Sequence, residues 1–244
     1  MEDTKKMKTT GAGMRRIYFF AVLALQIIAY PIAVFNLGEY NDWVYYGIIL
    51  SCFITSAVFL TKDVQSYLQL GASFFTCIAD FCLILGQASY TTGVAFFLVV
   101  QLFYAARTVL LAKSKKERIV NLSVRGGLCF LTTLVVVLLF GEEAQMLYIL
   151  SVLYYVNLLT SIAFAFSHFR ENKLLAIGLT LFALCDTVLG LQNIIDIFSI
   201  SHESLFYAIV HPKFALEAAF YCPSQLLLSV SGSLSTCNFT KTGE

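Results

Sequence analysis

The chain has 244 residues, of which 59% are hydrophobic and only 13% charged, and its mean hydropathy is +0.79. Such a composition lies far from that of soluble domains. With 16 basic against 15 acidic residues, and no basic stripe interleaved with aromatics, nucleic acid is not an expected partner.

Residues 1–16 are polar and basic and carry no small-residue cleavage site behind a short apolar region, so the first apolar block is expected to be an uncleaved signal anchor. The apolar blocks are continuous over about 17–22 residues rather than alternating over ten, which excludes a membrane β-barrel. They predict an all-α, multi-pass membrane protein with eight transmembrane helices in one compact bundle. The spans are read at roughly 17–35, 44–60, 66–85, 90–106, 122–140, 146–168, 174–192 and 214–231. A transmembrane domain of residues 17–231 is thus expected between a cytoplasmic N-terminal segment, 1–16, and a cytoplasmic C-terminal tail, 232–244. Connections are short except for the basic loop at 107–121 and the segment 193–213.

With the N-terminus cytoplasmic, fifteen of the 16 Lys and Arg residues fall on the inner side, Arg107 and Arg125 among them, and only Lys213 falls outside. The acidic residues Glu39, Asp42, Glu142, Glu143, Asp196 and Glu203 fall on the outer side. That alternation predicts both termini in the cytoplasm. The seven cysteines, mostly inside the blocks, read as small buried hydrophobes, Cys237 in the tail excepted. His168 lies on the inner side, whereas His202 and His211 lie on the outer, so no three-histidine metal site can assemble and no metal or other cofactor is expected. No G-x-S-x-G or phosphate-binding glycine loop is visible.

Three carboxyls remain within the spans. Asp80 lies in "SFFTCIADFCLILG", Asp186 in "LTLFALCDTVLGLQ", and Glu217 near the outer end of the last span. An aspartate at mid-helix costs about 2.5–3.5 kcal/mol on insertion scales, and an amide would bond across helices more cheaply, so both aspartates point to function. Each precedes the expected outer end of its helix (Leu85, Leu191) by five residues, at one depth on two helices running the same way. Around them run polar stripes at three- and four-residue steps: Gln69, Ser73, Thr76 and Asp80; Gln101, Tyr104 and Thr108; Tyr154, Asn157 and Ser161; Glu217, Tyr221 and Gln225. Lipid cannot satisfy such stripes, so they are expected to turn inward. Thr108, Asn157 and Ser161 are expected to do no more than bond between helices. The two aspartate helices also share D-x-x-L-x-L, the hint of a parallel repeat of four helices.

"GASFFTCIADFCLILGQASYTTGVAFFLVVQLFYAARTV" resembles the YhhN-like family of membrane proteins, which includes the lysoplasmalogenases. The family pattern has an aspartate, a short loop with Gly, and a Phe-rich helix ending in His-x-x-Tyr; Asp80, Gly93 and Tyr104 match it, while Gln101 stands where the family has histidine. "AIGLTLFALCDTVLGLQ" resembles the second aspartate helix, with Asp186, and "FYCPSQLLL" the closing Tyr-x-x-x-Gln helix, with Tyr221 and Gln225. The Lys-Pro common before the first aspartate helix is replaced by "TKDVQS".

The resemblance implies hydrolysis of a vinyl-ether lysolipid to a fatty aldehyde and a glycerophospho head group, with a membrane lysophospholipid as partner. Vinyl ethers break by protonation on carbon, which needs one carboxyl as acid and one carboxylate to steady the cation and activate water. Two neighbouring buried carboxyls divide protonation in that way. Asp80 and Asp186 are the expected catalytic residues, and Gln101, Tyr104, Glu217, Tyr221 and Gln225 the expected substrate-binding ones. The competing class is a non-catalytic lipid or small-molecule binding or transport protein that uses the same carboxylates.

Overall fold

Inside hydrocarbon a backbone N–H or C=O finds no water, so each apolar block must close its hydrogen bonds internally, as a helix does. The computed structural model describes residues 2–35, 40–86, 89–141, 145–197 and 204–234. The tail from 235 onward, with Cys237, lies outside the described residues, as do Glu39, Glu142, Glu143, His202 and Glu203. Among the described residues all regular structure is helical: α1 (Glu2–Phe35), α2 (Asn41–Val58), α3 (Val64–Asp80), a π-helical turn (Phe81–Leu85), α4 (Tyr90–Leu111), α5 (Lys115–Phe140), α6 (Met146–Ser167), α7 (Lys173–Ile197), α8 (Leu205–Val210) and α9 (Leu216–Leu234).

Every expected span therefore coincides with a helix, and the segment 193–213 contributes the short α8. Among the described residues six helices are long and apolar enough to cross a membrane: α1 from Ile17, α3 with its π turn, α4, α5, α6 and α7. The chain is a multi-pass helical membrane protein. Helix ends shift from the expectation, α1 starting at Glu2 rather than 17 and α9 ending at Leu234 rather than 231, and two further shifts bear on the polar residues. Helix α7 runs to Ile197 rather than 192, so Asp196, expected in an outer loop, belongs to the helix, and Asp186 lies further from its helix end than Asp80 does. The basic loop at 107–121 is mostly helix, with Arg107 in α4 and Arg125 well inside α5. Both arginines are buried, Arg107 completely. Neither is a loop charge, which leaves thirteen of the fifteen basic residues assigned to the inner side.

Helices α3, α4, α6, α7 and α9 close a ring, each packing on the next and α9 on α3. Helix α2 lies against α3 and α9, α1 against α2 and α9, and α5 against α6. The core inside the ring is built on Tyr104, Leu158, Leu179, Phe182 and Leu228. The outer helices leave large apolar side chains uncovered, such as Ile28 on α1 and Phe130 and Leu138 on α5, as a lipid-facing surface requires.

Local chemistry explains how the ring closes. Pro223 in α9 has no N–H for the carbonyl of Ala219, one turn earlier, and the Tyr30 hydroxyl of α1 donates to that carbonyl instead, at 3.1 Å. Gly178 lets α9 approach α7 so closely that a Cβ there would lie 2.8 Å from Leu228 Cγ. Gly232 does the same between α9 and Gln69 of α3, at 2.8 Å. Ser89 and Ser114 cap α4 and α5 by accepting from the N–H groups of Thr92 and Glu117.

Candidate functional site

The inward stripe of α3 places Gln69, Ser73, Thr76 and Asp80 on its buried face. At Asp80 the α-helix gives way to the wider π turn, closed by the Gly86 N–H donating to the Phe81 carbonyl at 2.7 Å. Such bulges recur at functional sites because they re-aim side chains. Tyr221 of α9 donates its hydroxyl to Asp80 Oδ2 at 2.7 Å. Across the ring the Tyr154 hydroxyl of α6 donates to Asp186 Oδ2 of α7. Each aspartate thus has its own phenol. Asp80 is buried and Asp186 half-buried.

An aromatic wall joins the two pairs. The Phe182 ring lies 5.4 Å from that of Tyr221 and 6.5 Å from that of Tyr154. Phe97 packs against Tyr154 and Phe182, and Tyr45 stacks on Tyr221 at 5.8 Å. Asp80 and Asp186 are close enough for their charges to interact. Asp80, Asp186 and Glu217 all lie within electrostatic reach of the Cys185 thiol, so the three span carboxyls gather in one region of the ring. Glu217 is half-buried and lies within electrostatic reach of Tyr45 as well.

The remaining expected residues lie deeper along the interior. Gln101 and Tyr104 are completely buried and Gln225 nearly so. Neither polar atom of the Gln101 amide has a hydrogen-bond partner, and Gln225 Nε2 has none either. Orphaned amides of this kind are rare and call for something polar beside them. Tyr104 stands near Gln69 and Arg107, and its ring belongs to the core. The aspartates, with Tyr221, occupy one level of the ring, and Gln101, Tyr104 and Gln225 extend from it toward the start of α3.

Sequence reasoning missed Tyr154 and Phe182 as parts of the aspartate site. Tyr154 was visible as the end of a polar stripe on α6, but nothing local ties it to Asp186. The other members of that stripe serve Arg125: its Nη1 donates to Asn157 Oδ1 at 2.9 Å and to Ser161 Oγ at 3.3 Å, and its Nη2 donates to Thr108 Oγ1 at 3.2 Å. These are inter-helix bonds, as expected for the three residues. They also fasten the otherwise lipid-facing α5 to α4 and α6, since each bond to a charged donor stabilises by about 1.5–3 kcal/mol. The D-x-x-L-x-L likeness has no counterpart in the pairing, because Asp80 takes its tyrosine from α9 and Asp186 from α6.

A search of curated proteins and a search of solved structures each returned no match. The sequence model of the YhhN family matches residues 41–231, from the start of α2 into α9 and over all five helices of the ring. With more than half of its length covered, the chain belongs to the YhhN family.

Proposed function

We propose that the protein is an integral membrane hydrolase of the lysoplasmalogenase type, cleaving the vinyl-ether bond of a lysolipid with Asp80 and Asp186 as acid and base. The observation that carries this reading is the pair of carboxyls, each held by a phenol and joined through Tyr221, Phe182 and Tyr154. The first carboxyl gives its proton to the β-carbon of the R–CH=CH–O–R′ group, and the ether oxygen stabilises the oxocarbenium ion so formed. The second, ionised, takes a proton from water as that water adds to the cationic carbon. The hemiacetal then collapses. Its hydroxyl proton returns to the first carboxyl, the C–O bond to glycerol breaks, and the second carboxyl protonates the glycerol oxygen. One water is consumed, and both carboxyls regain their starting states. Gln101, Tyr104, Glu217, Tyr221 and Gln225 orient the lipid and the water.

In the same reading α2 and α9 also cross the membrane, which makes eight spans with both ends cytoplasmic. The surplus of basic residues on one side supports this orientation. A Gln145→Cys variant of a cysteine-free chain should then label from outside intact cells, and labelling only after permeabilisation would reverse the orientation.

The activity test uses the purified full-length chain in lipid nanodiscs with a vinyl-ether lysophosphocholine. Fatty aldehyde should appear, and in D₂O it should carry deuterium on the carbon next to the carbonyl, as protonation on carbon requires. One observation favours a second reading, a lipid carrier: Gln101 stands where the family histidine is expected and cannot move a proton. No aldehyde from choline or ethanolamine vinyl-ether lysolipids, with saturable lipid binding intact, would decide for the carrier.

A further inference from the structure

Arg107 is the largest fully buried side chain among the described residues. Its Nε donates to Gln65 Oε1 at 3.0 Å, and its Nη1 donates to Ser231 Oγ at 3.0 Å and to Gln69 Oε1. All three partners are neutral. Nη2 has no partner, and neither ion pair found among the described residues includes Arg107. Asp63, ahead of α3, is within electrostatic reach but forms no ion pair with it. Arg125 is also buried without an acid, yet both of its terminal nitrogens are fully engaged. Among the described residues Arg107 alone combines complete burial, neutral partners and an open terminal nitrogen. A charge buried in that way is costly unless an anion meets it.

The guanidinium joins the same polar column as Asp80, because its Nη1 donates to Gln69, the first member of the α3 stripe that ends at Asp80. Helix α4 runs antiparallel to α3, as the contacts of Arg107 with Gln65 and Gln69, and the approach of Gly71 to Phe103, require. Gln101 lies six residues from Arg107, about 9 Å along the helix toward the Asp80 level. Gln69 lies eleven residues from Asp80, about 16 Å along α3. Between the two ends stand the orphaned Gln101 amide and Gln225 Nε2. The column therefore offers a carboxyl at one end, unpaired amide groups between, and a guanidinium at the other. A single-chain lipid presents the complementary order: reactive ether, glycerol, phosphate.

We propose that Arg107 is the anion subsite of this column, with Nη2 donating to a phosphate oxygen of the lysolipid head group and so setting the register of the vinyl ether against the aspartates. The assignment rests on the hydrolase reading for the identity of its ligand. The head-group phosphate is part of that reading; the new assignment is that one buried side chain, Arg107, selects it over a neutral glyceryl ether. Guanidinium suits this role because its fork matches phosphate oxygens.

The test measures binding rather than turnover, on the full-length chain in nanodiscs. The probes are a saturated alkyl-ether lysophosphocholine, which cannot be hydrolysed, the matching alkylglycerol without phosphate, and inorganic phosphate. Arg107→Gln should weaken lysophosphocholine binding by about 10–100-fold, the range of one charge-assisted hydrogen bond, and leave alkylglycerol binding unchanged. Gln69→Glu, which offers the guanidinium a carboxylate of its own, should give the same selective loss and carries the test if Arg107→Gln does not fold. Equal weakening of both lipids, or unchanged lysophosphocholine binding in folded Gln69→Glu, overturns the subsite. Inorganic phosphate should compete weakly or not at all. Tight phosphate binding with no preference between the two lipids would assign the site to a free anion and overturn the head-group assignment. A chain that binds lysophosphocholine through Arg107 but releases no aldehyde would sink the hydrolase reading and leave the subsite standing.

Discussion

Asp80→Asn and Asp186→Asn should each lower aldehyde release by about 10²–10⁴-fold, the usual contribution of a general acid or base. Asparagine has the same shape and keeps an oxygen to accept the Tyr221 or Tyr154 hydroxyl, so what is lost is the proton. The variants should stay folded, with thermal unfolding in detergent at or above that of the parent, because an amide is easier to bury than a carboxyl. The double variant should fall little below the single ones, since groups that act on one reaction as a unit are not additive. A variant that keeps turnover within about tenfold of the parent would remove that carboxyl from the acid–base pair.

How much of this was legible beforehand depends on the kind of information involved. The α3 stripe of Gln69, Ser73, Thr76 and Asp80 obeys helical spacing, and all four are buried. Periodicity reports which face of a helix turns inward, because that is a property of one segment. It does not report which helix lies opposite. The Tyr154 partner of Asp186 and the Phe182 bridge therefore had no sequence signal, since each contact joins separate helices. Arg107 and Arg125 were misread for a related reason. A charge near a span end looks like a loop charge unless buried acceptors wait for it, and those acceptors come from α3, α9, α4, α5 and α6. The π turn after Asp80 is formed by "FCLIL", a run that reads as ordinary membrane helix. What sequence did place was each of the eight long helices among the described residues and the inward face of each stripe, because hydrocarbon permits few alternatives to either.

Gln101→Leu should move stability and function in opposite directions. The Gln101 amide is completely buried with both of its polar atoms unpartnered. Leaving such a group unsatisfied costs about 1–3 kcal/mol, and an apolar side chain of similar size removes that cost. The leucine variant should therefore show a higher thermal unfolding midpoint in detergent. If Gln101 were only packing, turnover would stay level or rise with stability. If instead the amide meets water or the glycerol of the lipid during the reaction, turnover should fall by about 10–100-fold, the cost of leaving one neutral partner without its hydrogen bond. A gain in stability joined to a loss of turnover is the mark of a group retained at a structural cost. Full activity in the stabilised variant would remove Gln101 from the site and leave the aspartates to act with Tyr221 and Tyr154 alone.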